Sequence, residues 1–198
     1  MVKDMHRSLW LIAALFVLAA AVAQATTYKI DSAHTFPQFE IRHLAFSMIH
    51  GRFNHTTGTI TMDRAENLGS VQVRIAVDSV DTGVDARDAH LQKPEFFDAG
   101  KYPYITYQST RVDYTGEHTA TVYGKLTMKG VTKPVELHVS RIHCAPDPLG
   151  EGERCGFDAS AEIKRSNFGV SAYVPVIPDT VHIILNVEAV SVPDKQGG

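Results

Sequence analysis

The sequence predicts an all-β protein, an antiparallel sandwich or barrel of about eight strands. Apolar and polar residues alternate along most of the chain, as they do in strands that bury one face. Short turns join these stretches, and no series of helices comes between them. Residues 82–98 alone break the alternation and predict a short helical segment. About eight strands can close around one small ligand, but the pattern leaves a hollow interior and a filled core both open.

Residues 1–25 have the pattern of a secretory signal peptide. Lys3 and Arg7 precede an apolar run at residues 9–23, and small residues follow it. The run is about 15 residues long, whereas a membrane-spanning helix needs roughly 20. We therefore expect cleavage after Ala25 and a periplasmic domain of residues 26–198 without a stable membrane span. The alternative is an N-terminal membrane anchor.

Charge and cysteine content narrow the function classes further. The formal net charge is −3 at pH 7 and no basic stripe is present, so nucleic acid is not an expected partner. Cys144 and Cys155 flank a loop of proline, glycine and charged residues. In an exported chain two such cysteines predict a structural disulfide. The alternative is a reactive dithiol, which the spacing does not support.

The alternation places the strands in order along the chain. It is clearest at residues 70–78, where Val71, Val73 and Ile75 share one face. Pro37 predicts an edge or a bulge in the second strand. The predicted strands are residues 27–30, 35–46, 50–62, 70–78, 104–114, 118–128, 134–140, 157–164 and 181–190.

The interruption at residues 82–98 predicts a helical plug. Asp81 or Thr82 can cap a helix over residues 84–92, and Pro94 ends it because proline lacks an N–H group. Three large apolar side chains, Leu91, Phe96 and Phe97, follow within the same segment. A plug of this kind can cover the end of a sheet that closes on itself.

A series of short motifs runs through the whole of the expected domain. The motifs are DSAH at 31–34, IRHL at 41–44, GRF at 51–53, VDTG at 80–83, RDAHL at 87–91, FFD at 96–98, YP at 102–103, GKLTMKGVTKPV at 124–135 and KRSNFGV at 164–170. In this order they resemble the YceI-like family of periplasmic polyisoprenoid-binding proteins. The cysteine loop is not part of the family pattern.

The resemblance implies an extended, lipocalin-like antiparallel β-barrel with a long apolar channel. It also implies a long-chain isoprenoid ligand, such as an isoprenoid quinone or a polyprenyl phosphate, and a carrier or storage role rather than an enzymatic one. Apart from such a bound lipid or quinone no cofactor is expected. A homodimer is left open, as are an enzyme acting on a lipid or quinone and an interaction module with a filled barrel.

Candidate ligand-binding residues follow from this expectation. Their facing depends on strand register, because a slip of one residue inverts a strand. His34, His90 and Arg165 are the candidates for the channel mouth, with purely structural roles as the alternative. The candidates for the apolar lining are Phe36, Phe39, Ile41, Phe46, Ile60, Val73, Ile75, Leu91, Phe96, Phe97, Tyr104, Leu126, Phe157 and Ile183.

Other polar clusters give weaker signals. Asp81, Asp85 and Asp88 share a helix face and could hold a hard cation, but acidic residues at a helix start also favour its dipole. The histidines show no ligand spacing, so no metal site is predicted, and only the fold could bring such ligands together. No serine lies in a nucleophile motif, and no catalytic residue is predicted.

Overall fold

The computed structural model describes residues 25–193, and within them the all-β prediction is confirmed. One continuous antiparallel sheet accompanies a single short α-helix. Residues 1–24, which carry nearly all of the predicted signal peptide, lie outside the described residues. No described helix has the length and apolar character needed to cross a membrane. The strands are β1 (Thr26–Ile30), β2 (Gln38–His43), β3 (Ser47–Phe53), β4 (Thr56–Asp63), β5 (Leu68–Ala76), β6 (Val80–Asp81), β7 (Tyr104–Gly116), β8 (Thr119–Met128), β9 (Val131–Pro146), β10 (Glu153–Lys164) and β11 (Thr180–Ser191).

The sheet closes into a barrel of eight wall positions. The hydrogen-bonded order β1-β4-β5-β7-β8-β9-β10-β11 returns to β1, which pairs with β11. Both β1 and β2 pair with the same strand, β11, so β2 continues the line of β1 after a break. In the same way β3 continues β4, and β6 continues β5. The pattern left a sandwich and a barrel open, and the structure is the barrel that the family resemblance implies.

The barrel interior is not filled by its own side chains. On β9, Val135 and Leu137 face inward and alternate with the exposed Glu136 and His138. These inward side chains are only half-buried, although a strand pairs with β9 on each side. Because protein interiors normally pack as densely as organic crystals, partial exposure on the inner face indicates free space. The alternative of a dry, filled core is therefore wrong for this part of the wall.

The two ends of the barrel are built differently. At the disulfide end, turns connect β4 to β5, β7 to β8, and β9 to β10. At the helix end lie the β2–β3 hairpin, the helix α1 (Asp85–Leu91) and the loop of residues 171–178. A buried apolar cluster belongs to each end, with Tyr28 and Met62 at the disulfide end and Phe53 and Phe168 at the helix end.

The helical plug forms where the sequence predicts it, with a different start. Val84 is the N-cap residue and makes no side-chain cap, so the prediction that Asp81 or Thr82 caps the helix is wrong. Instead the carboxylate of Asp88 accepts a hydrogen bond from the backbone N–H of Thr82 at 2.9 Å. Asp88 belongs to the helix itself. Its side chain therefore holds the backbone just before the helix start from inside the helix.

Two of the predicted strands have other bounds in the structure. The predicted strand 35–46 contains β2 and then a tight turn into β3 at Ser47. The predicted strand 50–62 is interrupted at Asn54 and His55, between β3 and β4. The strand pairing changes at this interruption. Before it β3 pairs with β2 and β6, and after it β4 pairs with β1 and β5. The alternation changes phase across the break, with Phe53 buried before it and Thr56 and Ile60 buried after it, so the prediction of one continuous alternating strand is wrong.

Candidate functional site

One cavity of about 400 Å³ lies inside the barrel and reaches towards both ends. Its walls are almost entirely apolar, and they include inward-facing side chains from all of the long strands. The cavity extends from Met62 and Tyr114, near the disulfide end, to Phe97 and Tyr173 at the helix end. It is a continuous apolar channel of the size and chemistry of a small-molecule site.

The floor of the channel is closed by packed side chains. Ile30, Ile60 and Met62 line it and are only 5%, 7% and 9% exposed. They belong to the cluster that also holds Cys155 and Ala189, both at 0% exposure. A ligand that reaches this floor meets only hydrocarbon.

One large aromatic side chain is held flat against the wall. The hydroxyl of Tyr107 shares its one proton between the backbone oxygens of Val122 at 3.1 Å and Val135 at 3.0 Å. Its ring lies over Gly124, where an added Cβ would come within 2.4 Å of the ring. Burial raises the pKa of this phenol, so it stays protonated and keeps both bonds. Because Gly124 has no side chain, the Tyr107 ring can lie close to the wall, and the channel beside it stays open.

The helical plug covers the other end with apolar side chains. Leu91, Phe96 and Phe97 line the channel, and the Phe97 ring packs edge-on against Phe53 at 5.7 Å between centroids. The ammonium group of Lys129 donates to the backbone oxygen of Pro94 at 2.7 Å and so fastens the plug to the barrel. The prediction that this segment covers the barrel end is confirmed.

His90 lies on the outer side of the plug. Its Nε2 is 3.0 Å from the Glu95 carboxylate. Its ring packs edge-on against Phe96 at 5.0 Å and against Tyr173 at 6.3 Å between centroids. A backbone hydrogen bond, and to a smaller extent the bond from His90, lower the pKa of Glu95. His90 also lines the channel, so its imidazole joins the plug to the loop that faces it.

Arg165 is buried, 5% exposed, and organises the loop at the helix end. Its guanidinium donates to the backbone oxygens of Val170, Ala172, Ile177 and Pro178 at 2.9–3.0 Å. No described carboxylate lies within ion-pair distance of it, and its partners are the loop carbonyls. Burial lowers its pKa, although an arginine remains charged at any physiological pH. Four of its five N–H groups are used by the loop, and the side chain lines the channel.

The arginine and histidine side chains that line the channel all lie at the helix end. They are His43, Arg87, His90 and Arg165. No carboxylate belongs to the described lining. This arrangement gives the channel a polarity, with an apolar floor and a basic mouth.

Most of the predicted lining residues face the channel. Two predicted pairs come from single strands and point inward as expected. They are Phe39 with Ile41 on β2 and Val73 with Ile75 on β5. The predicted residues that line the channel are Phe39, Ile41, Ile60, Val73, Ile75, Leu91, Phe96, Phe97, Leu126, Phe157, Ile183, His90 and Arg165.

Three predicted lining residues lie elsewhere, and the assignment is corrected for each. Tyr104 is 41% exposed on the outer face, under the Arg74 guanidinium at 3.5 Å from the ring centroid. Its neighbour in β7, Ile105, faces inward, so the prediction chose the wrong face by one residue. Phe46 is 89% exposed at the tip of the β2–β3 hairpin. Phe36 lies in the break between β1 and β2 and is not part of the described lining.

His34 is not at the mouth, and the structure does not bring it together with His90. It lies at the break between β1 and β2, where its Nδ1 is 2.9 Å from the Asp31 carboxylate. Arg154 donates to the same Asp31 carboxylate at 2.8 Å and to Glu188 at 2.8 Å. Hydrogen bonding from Arg154 lowers the pKa of Asp31 to about 2. The break in the wall separates this cluster from the channel, so alternation could not place it.

The polar clusters that could hold a metal are engaged within the protein. Asp31, His34 and Glu188 are close enough to share an ion, but Arg154 occupies the space between the carboxylates. Cys144 and Cys155 form a disulfide with an S–S distance of 2.03 Å. The disulfide prediction is thereby confirmed.

Comparison with known proteins agrees with this architecture. A family model described as a YceI-like domain matches residues 28–189. The chain belongs to the YceI-like family. It is 38% identical over 193 residues to a UPF0312 protein of Pseudomonas paraeruginosa, covering 96% of this chain and 99% of the relative. It is also 38% identical over 179 residues to Protein YceI of Salmonella newport, covering 89% and 92%.

Solved structures match this fold over most of the chain. Burkholderia cenocepacia BcnA matches with a TM-score of 0.72 and 26% identity, over 80% of this chain and 98% of that one. The Campylobacter jejuni YceI protein matches with a TM-score of 0.66 and 29% identity, over 78% and 91%. A polyisoprenoid binding domain from Saccharophagus degradans matches with a TM-score of 0.60 over 83% and 98%, and at 19% identity it shows the fold alone.

Some lining residues of this YceI-like protein were not predicted. Val135, Leu137 and Val139 alternate along β9, so periodicity could have identified them. Tyr173 and Ile177 come from the loop held by Arg165 and follow no alternation. Only the fold brings that loop over the channel.

Proposed function

We propose that this protein binds a long-chain lipid, an isoprenoid or another extended amphiphile, inside its barrel channel. The continuous apolar channel of about 400 Å³ is the observation that carries this proposal. Each methylene that moves from water into such a channel contributes roughly 0.8 kcal/mol. A long chain can therefore be held tightly with few polar contacts.

The polarity of the channel supports one orientation of the ligand. The hydrocarbon end is expected at the floor formed by Ile30, Ile60 and Met62, whose side chains are apolar and closely packed. The headgroup is expected near Arg165 and His90, which are basic. Basic groups favour a headgroup that accepts hydrogen bonds or carries negative charge, such as a phosphate, a carboxylate or a quinone carbonyl.

The proposal is one of binding without chemistry. The described lining holds no carboxylate. Tyr107 donates to strand carbonyls and Arg165 to four loop carbonyls, so these two side chains are committed to the wall and the loop. The relationship to a domain that is named as polyisoprenoid binding favours the same role.

The location proposed for this activity is the periplasm. The N-terminal pattern of residues 1–25 predicts export and cleavage. The disulfide agrees with an oxidising compartment. A carrier in this compartment would shield its lipid from water between membranes.

Native mass spectrometry of the exported protein, followed by organic extraction, tests the proposal. We expect co-purified lipid, or uptake when a prenyl quinone, a polyprenyl phosphate or a long-chain fatty acid is offered. Intact mass of the same sample establishes the N-terminus. Recovery of no lipid together with no uptake of any of the three probes would overturn the proposal.

A matched pair of variants separates the channel from the outer surface. Ala159→Trp places a large ring inside the channel, where Ala159 is part of the lining. Ser160→Trp places the same ring on the exposed outer face of the neighbouring position. Lipid occupancy should fall strongly in the first variant and remain unchanged in the second. Equal occupancy in both would place the ligand outside the barrel.

A further inference from the structure

Large apolar side chains are exposed in a group at the helix end of the barrel. Phe46 is 89% exposed, Val176 65% and Tyr173 60%. We call this group the apolar rim. Its members are Leu44, Phe46, Val84, Tyr173, Val174 and Val176.

Each segment that contributes to the apolar rim also lines the channel. Ile41 and Ile49, on the two strands of the β2–β3 hairpin, face the channel below the exposed tip. His90 does so from the helical segment and Ile177 from the loop of residues 171–178. Tyr173 is both exposed and part of the lining. The apolar rim is therefore continuous with the channel and surrounds its mouth.

The hairpin keeps its tip in a conformation that exposes apolar residues. Leu44 and Ala45 have φ angles of 50° and 62°, a left-handed region that glycine and asparagine adopt far more readily. The tight turn projects Leu44 and Phe46 outward. Apolar residues in this turn serve neither the turn geometry nor the core, which points to a contact with something outside the chain.

We propose that the apolar rim docks onto the surface of a lipid bilayer, with the channel mouth facing the membrane. This inference rests on the proposed function, because it explains how a long-chain ligand enters the channel without crossing water. The protruding side chains would enter the interfacial region, where aromatic rings are favoured.

The composition of the helix end favours a lipid surface over a second protein. A stable protein interface uses about 20–30 residues on each side, whereas the apolar rim offers six side chains on three separate segments. Two arginines, Arg87 and Arg165, line the adjoining channel mouth, and the described lining holds no carboxylate. Their positive charge is complementary to the phosphate groups of a bilayer.

A tryptophan placed on the apolar rim reports docking directly. The single tryptophan of the chain, Trp10, lies in the predicted signal peptide, so the exported protein is expected to have none. Intact mass confirms its removal before use. Phe46→Trp then gives a probe on the rim, and Leu149→Trp gives a control at a site that is 77% exposed on the disulfide-end loop.

The two variants are mixed with phosphatidylcholine–phosphatidylglycerol vesicles that contain brominated lipid. We expect the tryptophan at position 46 to shift its emission to the blue and to be quenched, while the one at position 149 does neither. Equal quenching at both positions, or none at position 46, would overturn the proposal.

Lipid transfer gives a second readout that separates docking from binding. Leu44→Ser, Phe46→Ser and Val176→Ser together should lower vesicle affinity and the rate of prenyl quinone uptake from vesicles by about tenfold or more. Occupancy after loading from detergent should be unchanged, since the channel below the rim is intact. If native protein takes up quinone from neither source, the proposed function fails, and the quenching experiment still decides docking. An unchanged uptake rate, or a rim-dependent dimer in size-exclusion chromatography, would contradict docking.

Discussion

The two ends of this barrel use opposite ways of finishing a closed sheet. At the disulfide end, Cys144 and Cys155 join paired strands, and Arg154 ties Asp147 and Asp31 to the same region at 3.0 Å and 2.8 Å. At the helix end, Arg165 holds a loop through backbone carbonyls alone. Around the channel mouth the second end exposes six large apolar side chains, whereas the exposed Leu68 and Leu149 of the first end lie at turns beyond a closed apolar floor.

This difference shows how one fold can be rigid and open at once. Covalent and ionic cross-links at the floor fix the strand ends without using the lumen. The mouth is assembled from a helix, a hairpin and a loop that carry no covalent cross-link, since both cysteines lie at the other end. Segments of this kind open at lower free energy than the strands do, so the exit for a ligand is expected at the helix end.

The largest expected effect tests the anchor of the mouth. Arg165→Met removes the donors of four backbone oxygens and should lower the free energy of unfolding by about 3 kcal/mol, measured by urea denaturation. Arg141→Met, whose side chain is 65% exposed in a 3.8 Å ion pair, is the control and should change it by less than about 0.5 kcal/mol. Similar losses in the two variants would show that Arg165 does not organise the loop.

The next effect tests the cross-link at the floor. Cys144→Ser combined with Cys155→Ser should lower the free energy of unfolding by about 2–3 kcal/mol, because the disulfide closes a short loop. Lipid uptake should persist, since the mouth is at the other end. Thermal denaturation with and without reductant provides the measurement, and the reductant should affect only the wild-type chain. Loss of uptake in a folded double variant would contradict the division into floor and mouth.

A third prediction concerns the recess that keeps the lumen open between the two ends. Gly124→Val would collide with the Tyr107 ring and force it towards the channel. The expected loss of stability is about 2 kcal/mol, together with lower lipid occupancy in native mass spectrometry. Gly156→Val is the matched control, since an added Cβ there has no heavy atom within 4 Å. Full occupancy in the Gly124 variant would mean that the ligand does not pass this level.

The smallest effect is the acid sensitivity of the disulfide end. The pKa of Asp31 is lowered to about 2 in the folded protein, against an ordinary value near about 3.9. Its contribution to stability is therefore complete above about pH 4 and is lost as the pH falls towards 2, amounting to about 1–2 kcal/mol. Thermal denaturation between pH 2 and 6 measures it. Arg154→Met should flatten this dependence, and an unchanged slope would assign it to other carboxylates.

Sequence reasoning succeeded where a local pattern has only one outcome. The strand faces of Phe39, Ile41, Val73 and Ile75 follow from period-two alternation, and the structure confirms them. The sequence prediction failed for Tyr104. Tyr104 and the next residue, Ile105, are both large and apolar, so the pattern allowed either of them to face inward. The residues just before and after a strand break follow no alternation, and Phe36 and His34 are both of this kind.

By itself the sequence determined the all-β class, the position of the plug and the pairing of Cys144 with Cys155, because each depends on residues that are close along the chain. Only the tertiary structure decided that the sheet closes, that its interior is hollow and that the mouth lies beside α1. Closure depends on β1 meeting β11 across nearly the whole length of the chain. The cavity depends on how completely the side chains of many strands fill the barrel interior. No local sequence pattern determines that combined volume.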